Sequence, residues 1–213
     1  MLGDYTETFE ETGRIWLRNA LGNSDLKPLD AACDFGPKAG ARISQNGLAP
    51  TLSKLSNLLA AAPVRIVAFN KSEGANWAVP WHQDRIVAVE AKHDVSGFSN
   101  WSQKAGVWHA EPPLNVLENI LFVRVHLDDT DADAGAMEIA RGSHLEGKVA
   151  AADAAEMAAR YPLEICTAKR GDVLVLKMLT LHRSGVAKIA KSRREVRIDF
   201  AASELPKPLK WLT

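Results

Sequence analysis

The sequence predicts one mainly β domain with flanking helices. Three observations carry this. From residue 64 onward, short runs rich in β-branched and aromatic residues alternate with turn signals. Before that point, apolar residues recur at helical spacing. The length, 213 residues, suits one well-packed domain and is short for two. A β-sandwich or an open barrel with N-terminal helices packed on it satisfies all three.

Residues 1–63 read as the helical portion. Phe9, Trp16, Leu17 and Ala20 fall on one helical stripe, and Thr8 with Glu11 offers a capping box. Residues 22–48, rich in Gly, Asp, Asn and Pro, read as connection. A second helix is expected over 50–62, with Pro50 in its first turn, Leu52, Leu55, Leu59 and Ala62 on one face, and Pro63 stopping it. The β-core then occupies 64–203. Its strands are expected at 64–71, 79–89, 121–127, 135–140, 163–167, 172–178, 182–184 and 195–201, with an exterior helix at 150–160 and a tail at 204–213.

Composition removes several function classes. Lys+Arg and Asp+Glu number 26 each, so no global field draws the chain to nucleic acid or an anionic membrane. No apolar run is long enough to span a bilayer, and the N-terminus has neither the basic start nor the apolar stretch of a secretory signal. Cys33 and Cys166 make no disulfide framework and read as two reduced thiols of a cytoplasmic protein.

The strongest chemical signal is Trp81-His82-Gln83-Asp84, answered by His182 about a hundred residues later. Residues i and i+2 of a strand share a face, so His82 and Asp84 can reach one ion, and His182 supplies a third ligand from a separate strand. Two imidazoles and a carboxylate with open positions opposite is the ligand set of non-haem Fe(II) oxygenases. No sulfur lies near the set in sequence, which disfavours structural zinc. Reduction of dioxygen needs electrons, and a 2-oxoacid chelated to the iron can supply them. Its far carboxylate needs an anchor. Arg193-Arg194 follows His182, and a guanidinium fork from one of them, with the Ser184 hydroxyl beside it, suits a carboxylate, while the other arginine is expected in a solvated turn.

Taken together, His82-Gln83-Asp84, the stretch Gly135-Ala-Met-Glu-Ile-Ala-Arg-Gly-Ser-His144, the Gly171-Asp-Val-Leu-Val175 strand and His182-x-Ser184 with Arg193 eleven residues past the histidine resemble the phytanoyl-CoA dioxygenase family over about residues 65–200. The resemblance implies a double-stranded β-helix, a jelly-roll or cupin-like core. It also implies a dioxygenase using Fe(II), 2-oxoglutarate and O2 and releasing succinate and CO2. Carried over by position, it implies His82, Asp84 and His182 as iron ligands and Arg193 with Ser184 at the distal carboxylate of 2-oxoglutarate. Lys71 resembles a strand lysine that contacts the cosubstrate. Arg124 stands where several members place a tryptophan, a departure that leaves it facing either 2-oxoglutarate or the prime substrate. Arg141-Gly-Ser-His144 departs from the family's usual Pro-Gly-Ser-His, and His144 reads as structural. Retention of the Asp84 carboxylate implies hydroxylation rather than halogenation, since related halogenases carry a small residue there.

Residues 85–113 form a long segment carrying Arg85, Trp101, Lys104, Trp108 and His109. It reads either as a lid for a small anionic or amphipathic substrate or as a loop packing its tryptophans on the rim. Arg124 and His126 share one strand face; if that face is inward, His126 is placed to position substrate. Arg85, Trp108 and His126 are thus the substrate candidates, and a small molecule is the expected partner. Gln83 should point away from the metal. The alternatives are a non-redox, isomerase-like metal enzyme and a non-catalytic small-molecule-binding protein on the same fold.

Overall fold

The computed structural model describes residues 6–34, 38–188 and 193–212. Six strands form the larger sheet, in the order β1 (Arg14–Leu17), β11 (Val173–Lys177), β8 (Ile120–His126), β13 (Arg193–Ala201), β3 (Ala62–Lys71), β2 (Gly40–Arg42). A four-stranded sheet opposite it runs β10 (Leu163–Ile165), β9 (Met137–Ala140), β12 (His182–Ser184), β4 (Val79–His82). A third sheet runs β5 (Val87–Val89), β7 (Val107–Glu111), β6 (Ser99–Lys104). Every pairing among these strands is antiparallel. The two larger sheets facing each other make the double-stranded β-helix.

Strand alternation explains why this frame is stable and where it stays polar. On β13, Val196, Ile198 and Phe200 face outward and are fully buried under α1 (Thr6–Thr12), α2 (Asn23–Ala32) and α3 (Ala49–Leu59). Leu26, Leu29, Leu52 and Leu55 from those helices complete this outer core. Each such side chain contributes about 1.5–3 kcal/mol of burial. The intervening residues of β13, namely Arg193, Glu195, Arg197 and Asp199, point between the sheets and are also buried. On β8, Ile120 and Phe122 enter an apolar inner core with Met137, Ile139, Leu174 and Leu176, while Arg124 and His126 follow on the same face. The space between the sheets is therefore sealed by hydrocarbon at one end and ionic at the other.

Several expectations are corrected. Trp16 and Leu17 do not continue a helix from Phe9: Gly13, at φ +70°, ends α1, and Arg14–Leu17 turns into β1 against the apolar edge of β11. Residues 22–48 are not simply connection, because they contain α2 and β2. The second helix stops at Leu59 through a left-handed Ala60, and Pro63 lies within β3 rather than ending the helix. The expected strand over 79–89 is broken after His82, resuming at Val87. The segment 85–113 is not an open loop but carries β5, β6 and β7. The exterior helix shortens to α4 (Ala154–Ala158), whose Ala154 and Ala158 are buried against Trp81. Residues 204–212 pack on the body: Leu205, Leu209 and Trp211 are buried, and Trp211 bridges to Val89. No helix among the described residues is long and apolar enough to cross a membrane.

Candidate active site

Pairing of β12 with β4 puts His182 directly across from His82, with ring centroids 4.3 Å apart. Asp84 lies two residues further, beyond the end of β4, and reaches back so that its Oδ2 is 3.2 Å from His182 Nε2. One ligand atom from each of the three falls within 4.8 Å of the others. Gln83 fixes this bend. Its amide donates to the carbonyls of Gly147 and Leu179, and its oxygen accepts from Val149 N–H, each at 2.8 Å. Those three bonds turn Gln83 away from the cluster and hold the backbone that carries Asp84.

The histidine tautomers follow from their partners. His82 Nδ1 is 2.8 Å from Pro80 O, and His182 Nδ1 is 2.9 Å from Thr180 O. A carbonyl only accepts, so each Nδ1 carries the proton and each Nε2 keeps its lone pair for a cation. Burial, followed by His182, lowers His82 below its ordinary value, favouring the neutral ligand form. Burial alone would raise the Asp84 carboxyl. The Arg197 guanidinium, 2.5 Å away, and His182 outweigh it and hold Asp84 well below the usual carboxylate range. Arg197 also grips Asp199, with Nε–Oδ1 2.7 Å and Nη2–Oδ2 3.1 Å. Two neutral nitrogens and one anionic oxygen, all with fixed orientation, fit a divalent transition metal; Cys33 and Cys166, both buried, are not part of the set.

A cavity of about 240 Å³ opens from these ligands between the sheets. Its far wall carries Arg193, Arg124 and Ser184, with Lys71 directly behind. Lys71 is 1% exposed; its ammonium donates to Gly185 O at 2.6 Å and lies 3.4 Å from Ser184 Oγ. Arg193 donates to Gly135 O. Both Arg124 and Arg193 approach Glu195, so three cations surround one resident carboxylate. Burial would raise Glu195, but Arg124, Arg193 and His126 hold it well below its ordinary range. The Nε atoms of Arg124 and Arg193 are buried with no hydrogen-bond partner among the described residues. Surplus positive charge at one end of a cavity, with a metal ligand set at the other, fits a small dicarboxylate.

Burial, then Arg193, lowers the Lys71 ammonium to about 8. A proton on Lys71 favours a bound anion, so 2-oxoglutarate affinity is expected to fall as pH rises between about 7 and about 9.5, where the folded protein loses that charge. Isothermal titration across this range checks it: Lys71→Met should bind more weakly at the low end and lose the slope. The same shift acts oppositely on folding. Between about 8 and the ordinary lysine value the unfolded chain holds more protons, so stability attributable to this group rises with pH there.

The other predicted residues lie elsewhere. His126 is buried behind Glu195, its Nδ1 3.3 Å from Oε1 and its ring tilted 5.7 Å from Trp16; it does not line the cavity. Arg85 donates to Val149 O and faces Glu111, and Trp108 packs edge-on to Trp101 in the third sheet, both away from the cavity. Arg194 points to the opposite face and pairs with Asp128 and Asp30. His144 binds Glu10 O, remote from the ligand set. Arg197 was not singled out from the sequence, although the alternation Arg193-x-Glu195-x-Arg197-x-Asp199 against Val196-x-Ile198-x-Phe200 marks it as inward-facing.

Comparison with known proteins agrees with this architecture. The chain is similar over 94–98% of its length to three solved structures. AviO1 from Streptomyces viridochromogenes Tue57 is 18% identical with TM-score 0.63, and 97% of that chain is covered. EctD from S. alaskensis, solved with 2-oxoglutarate and 5-hydroxyectoine, is 17% identical with TM-score 0.67 and 79% covered. The epimerase SnoN, solved with Fe3+, alpha ketoglutarate and nogalamycin RO, is 14% identical with TM-score 0.63 and 83% covered. A search of curated protein sequences finds no significant match. The profile of one family, Phytanoyl-CoA dioxygenase (PhyH), matches residues 18–195, a span that includes β4, Asp84, β12 and Arg193. With that match extending over most of its length, the chain belongs to the phytanoyl-CoA dioxygenase (PhyH) family.

Proposed function

We propose that this protein is an Fe(II)- and 2-oxoglutarate-dependent oxygenase that oxidises a C–H bond of a small molecule, with hydroxylation as the outcome. The observation that carries the reading is the pairing, within one cavity, of a His82–Asp84–His182 cluster and a cation cluster with unpartnered buried donors. A non-redox, isomerase-like metal site needs the first and has no use for the second. Structures of similar fold include one holding 2-oxoglutarate with a hydroxylated small molecule and one of an epimerase holding iron and the same cosubstrate. The retained Asp84 carboxylate favours hydroxylation over halogenation.

When bound, iron and 2-oxoglutarate supply the oxidising chemistry, consuming O2 and yielding succinate and CO2. The chain's own work is placement. His82, Asp84 and His182 would hold the metal, and Gln83 keeps Asp84 from drifting. Arg193 and Arg124 would take the distal carboxylate through their guanidinium groups, with Lys71 and Ser184 alongside. Phe69, Trp77, Val79 and Met137 form the apolar part of the wall and limit water.

Anaerobic loading with Fe(II) and 2-oxoglutarate, then admission of O2 while succinate is followed, tests the reading. Iron-dependent succinate release, slow without prime substrate and absent in His182→Ala, is expected. No succinate at saturating iron and cosubstrate would instead favour a non-redox isomerase or a binding protein.

A further inference from the structure

A second cleft, of about 450 Å³, adjoins the metal cavity and shares Arg65, Phe69 and Trp77 with it. It lies between β3 with its neighbour β2 on one side and the β6–β7 hairpin on the other. Its volume suits a small organic ligand. Val67 and Phe69 of β3 form an apolar patch with Trp77, and Gly40 of β2 lets the Phe69 ring lie close: a Cβ there would sit 2.9 Å from the ring. The polar side chains are all basic, namely Arg42, Arg65, Lys104 and His109, and no carboxylate lines the cleft among the described residues.

These basic groups are poorly neutralised. Lys104 makes no hydrogen bond or ion pair among the described residues. Arg42 donates to the Leu212 carbonyl and makes no ion pair among the described residues. Arg65 has Asp199 at 3.8 Å, but both oxygens of Asp199 already bond Arg197. His109 ties its Nδ1 to Val107 O at 3.0 Å, leaving Nε2 free. Burial, and beyond it the charges of Arg65, Arg42 and Lys104, lower His109 below its ordinary value.

We infer that this cleft is the prime-substrate site and that it selects small organic anions with a flat apolar body, the anion held by Lys104 and Arg42 and the body laid along Phe69 and Trp77 toward the metal ligands. Arg65, on both linings, marks the passage between the two spaces. This assignment rests on the oxygenase reading for its link to catalysis, while the binding preference stands on the cleft itself.

The test uses protein loaded with Zn(II) in place of Fe(II) and saturated with 2-oxoglutarate, so that the inner cation cluster is occupied. Phenylacetate and its neutral isostere phenylacetamide are titrated by calorimetry and by ligand-observed NMR. Phenylacetate should bind at least about 10-fold more tightly, and Lys104→Ala and Arg42→Gln should each reduce that preference at least about 5-fold with melting temperature and 2-oxoglutarate affinity unchanged. Equal affinity for the two probes, no phenylacetate binding up to about 10 mM, or an anion preference retained in both variants overturns the inference. Failure of 2-oxoglutarate itself to bind the wild type strikes the oxygenase reading instead, and the two variants still report on the cleft.

Discussion

Asp84→Ala should lose iron affinity by more than about 100-fold and show no detectable succinate release. Removing a group that merely orients a ligand already costs about 10–100-fold in metal affinity, and Asp84 is placed to supply the cluster's only anionic donor. The variant also leaves Arg197, 5% exposed, with Asp199 as its remaining carboxylate partner. A buried guanidinium with one of its two carboxylate partners removed is less well offset, so the apoprotein should melt lower as well. The two effects separate with Asp84→Asn, which keeps the volume and a hydrogen-bond acceptor for Arg197 but removes the negative charge. Equilibrium dialysis with Fe(II) under argon, together with thermal melts of the metal-free proteins, reads both quantities. Wild-type iron affinity in Asp84→Ala would remove this residue from the metal site and the oxygenase reading with it.

The second large effect is expected at Arg193. Arg193→Ala should weaken 2-oxoglutarate binding by roughly 150-fold, about 3 kcal/mol, the range for truncating one partner of a buried, hydrogen-bonded charge pair. Iron binding should hold within about 3-fold, because Arg193 touches Gly135 O and Glu195 and none of the three candidate ligands. Arg193→Lys should recover only part of the affinity, since an ammonium keeps the charge but not the planar fork. Calorimetry with the Zn(II)-loaded protein measures it directly. Unchanged affinity in Arg193→Ala would move the anchor to Arg124, the other buried guanidinium with an unpartnered Nε. Arg194 is not a candidate, because Asp128 and Asp30 hold it on the far side of the sheet.

Legibility in the sequence followed the range of the interaction. Strands such as Val173–Lys177 and Ile120–His126 announce themselves because every second side chain, or every one in a buried strand, must leave water. The N-terminal stripe misled for the complementary reason. Phe9 and Trp16 are spaced as on a helix, yet Gly13 and the open edge of β11 made strand pairing the better use of Arg14–Leu17. The segment 85–113 concealed its hairpin because Ser99–Lys104 is polar and half-exposed, so no apolar alternation marks it.

By itself the sequence determined the fold class and family, and it singled out His82, Asp84 and His182 together, because ligand chemistry demands particular atoms at a spacing that local geometry can deliver. Tertiary structure alone decided which charges meet. Arg197 reaches Asp84 from β13 across the barrel, and Arg42 and Lys104 come from different sheets to one cleft. His126, on the same strand face as Arg124, is stopped behind Glu195. Coulombic partnership falls off over a few ångströms of space and is indifferent to separation along the chain, so only the folded arrangement can say which ions neutralise one another and which are left for a ligand.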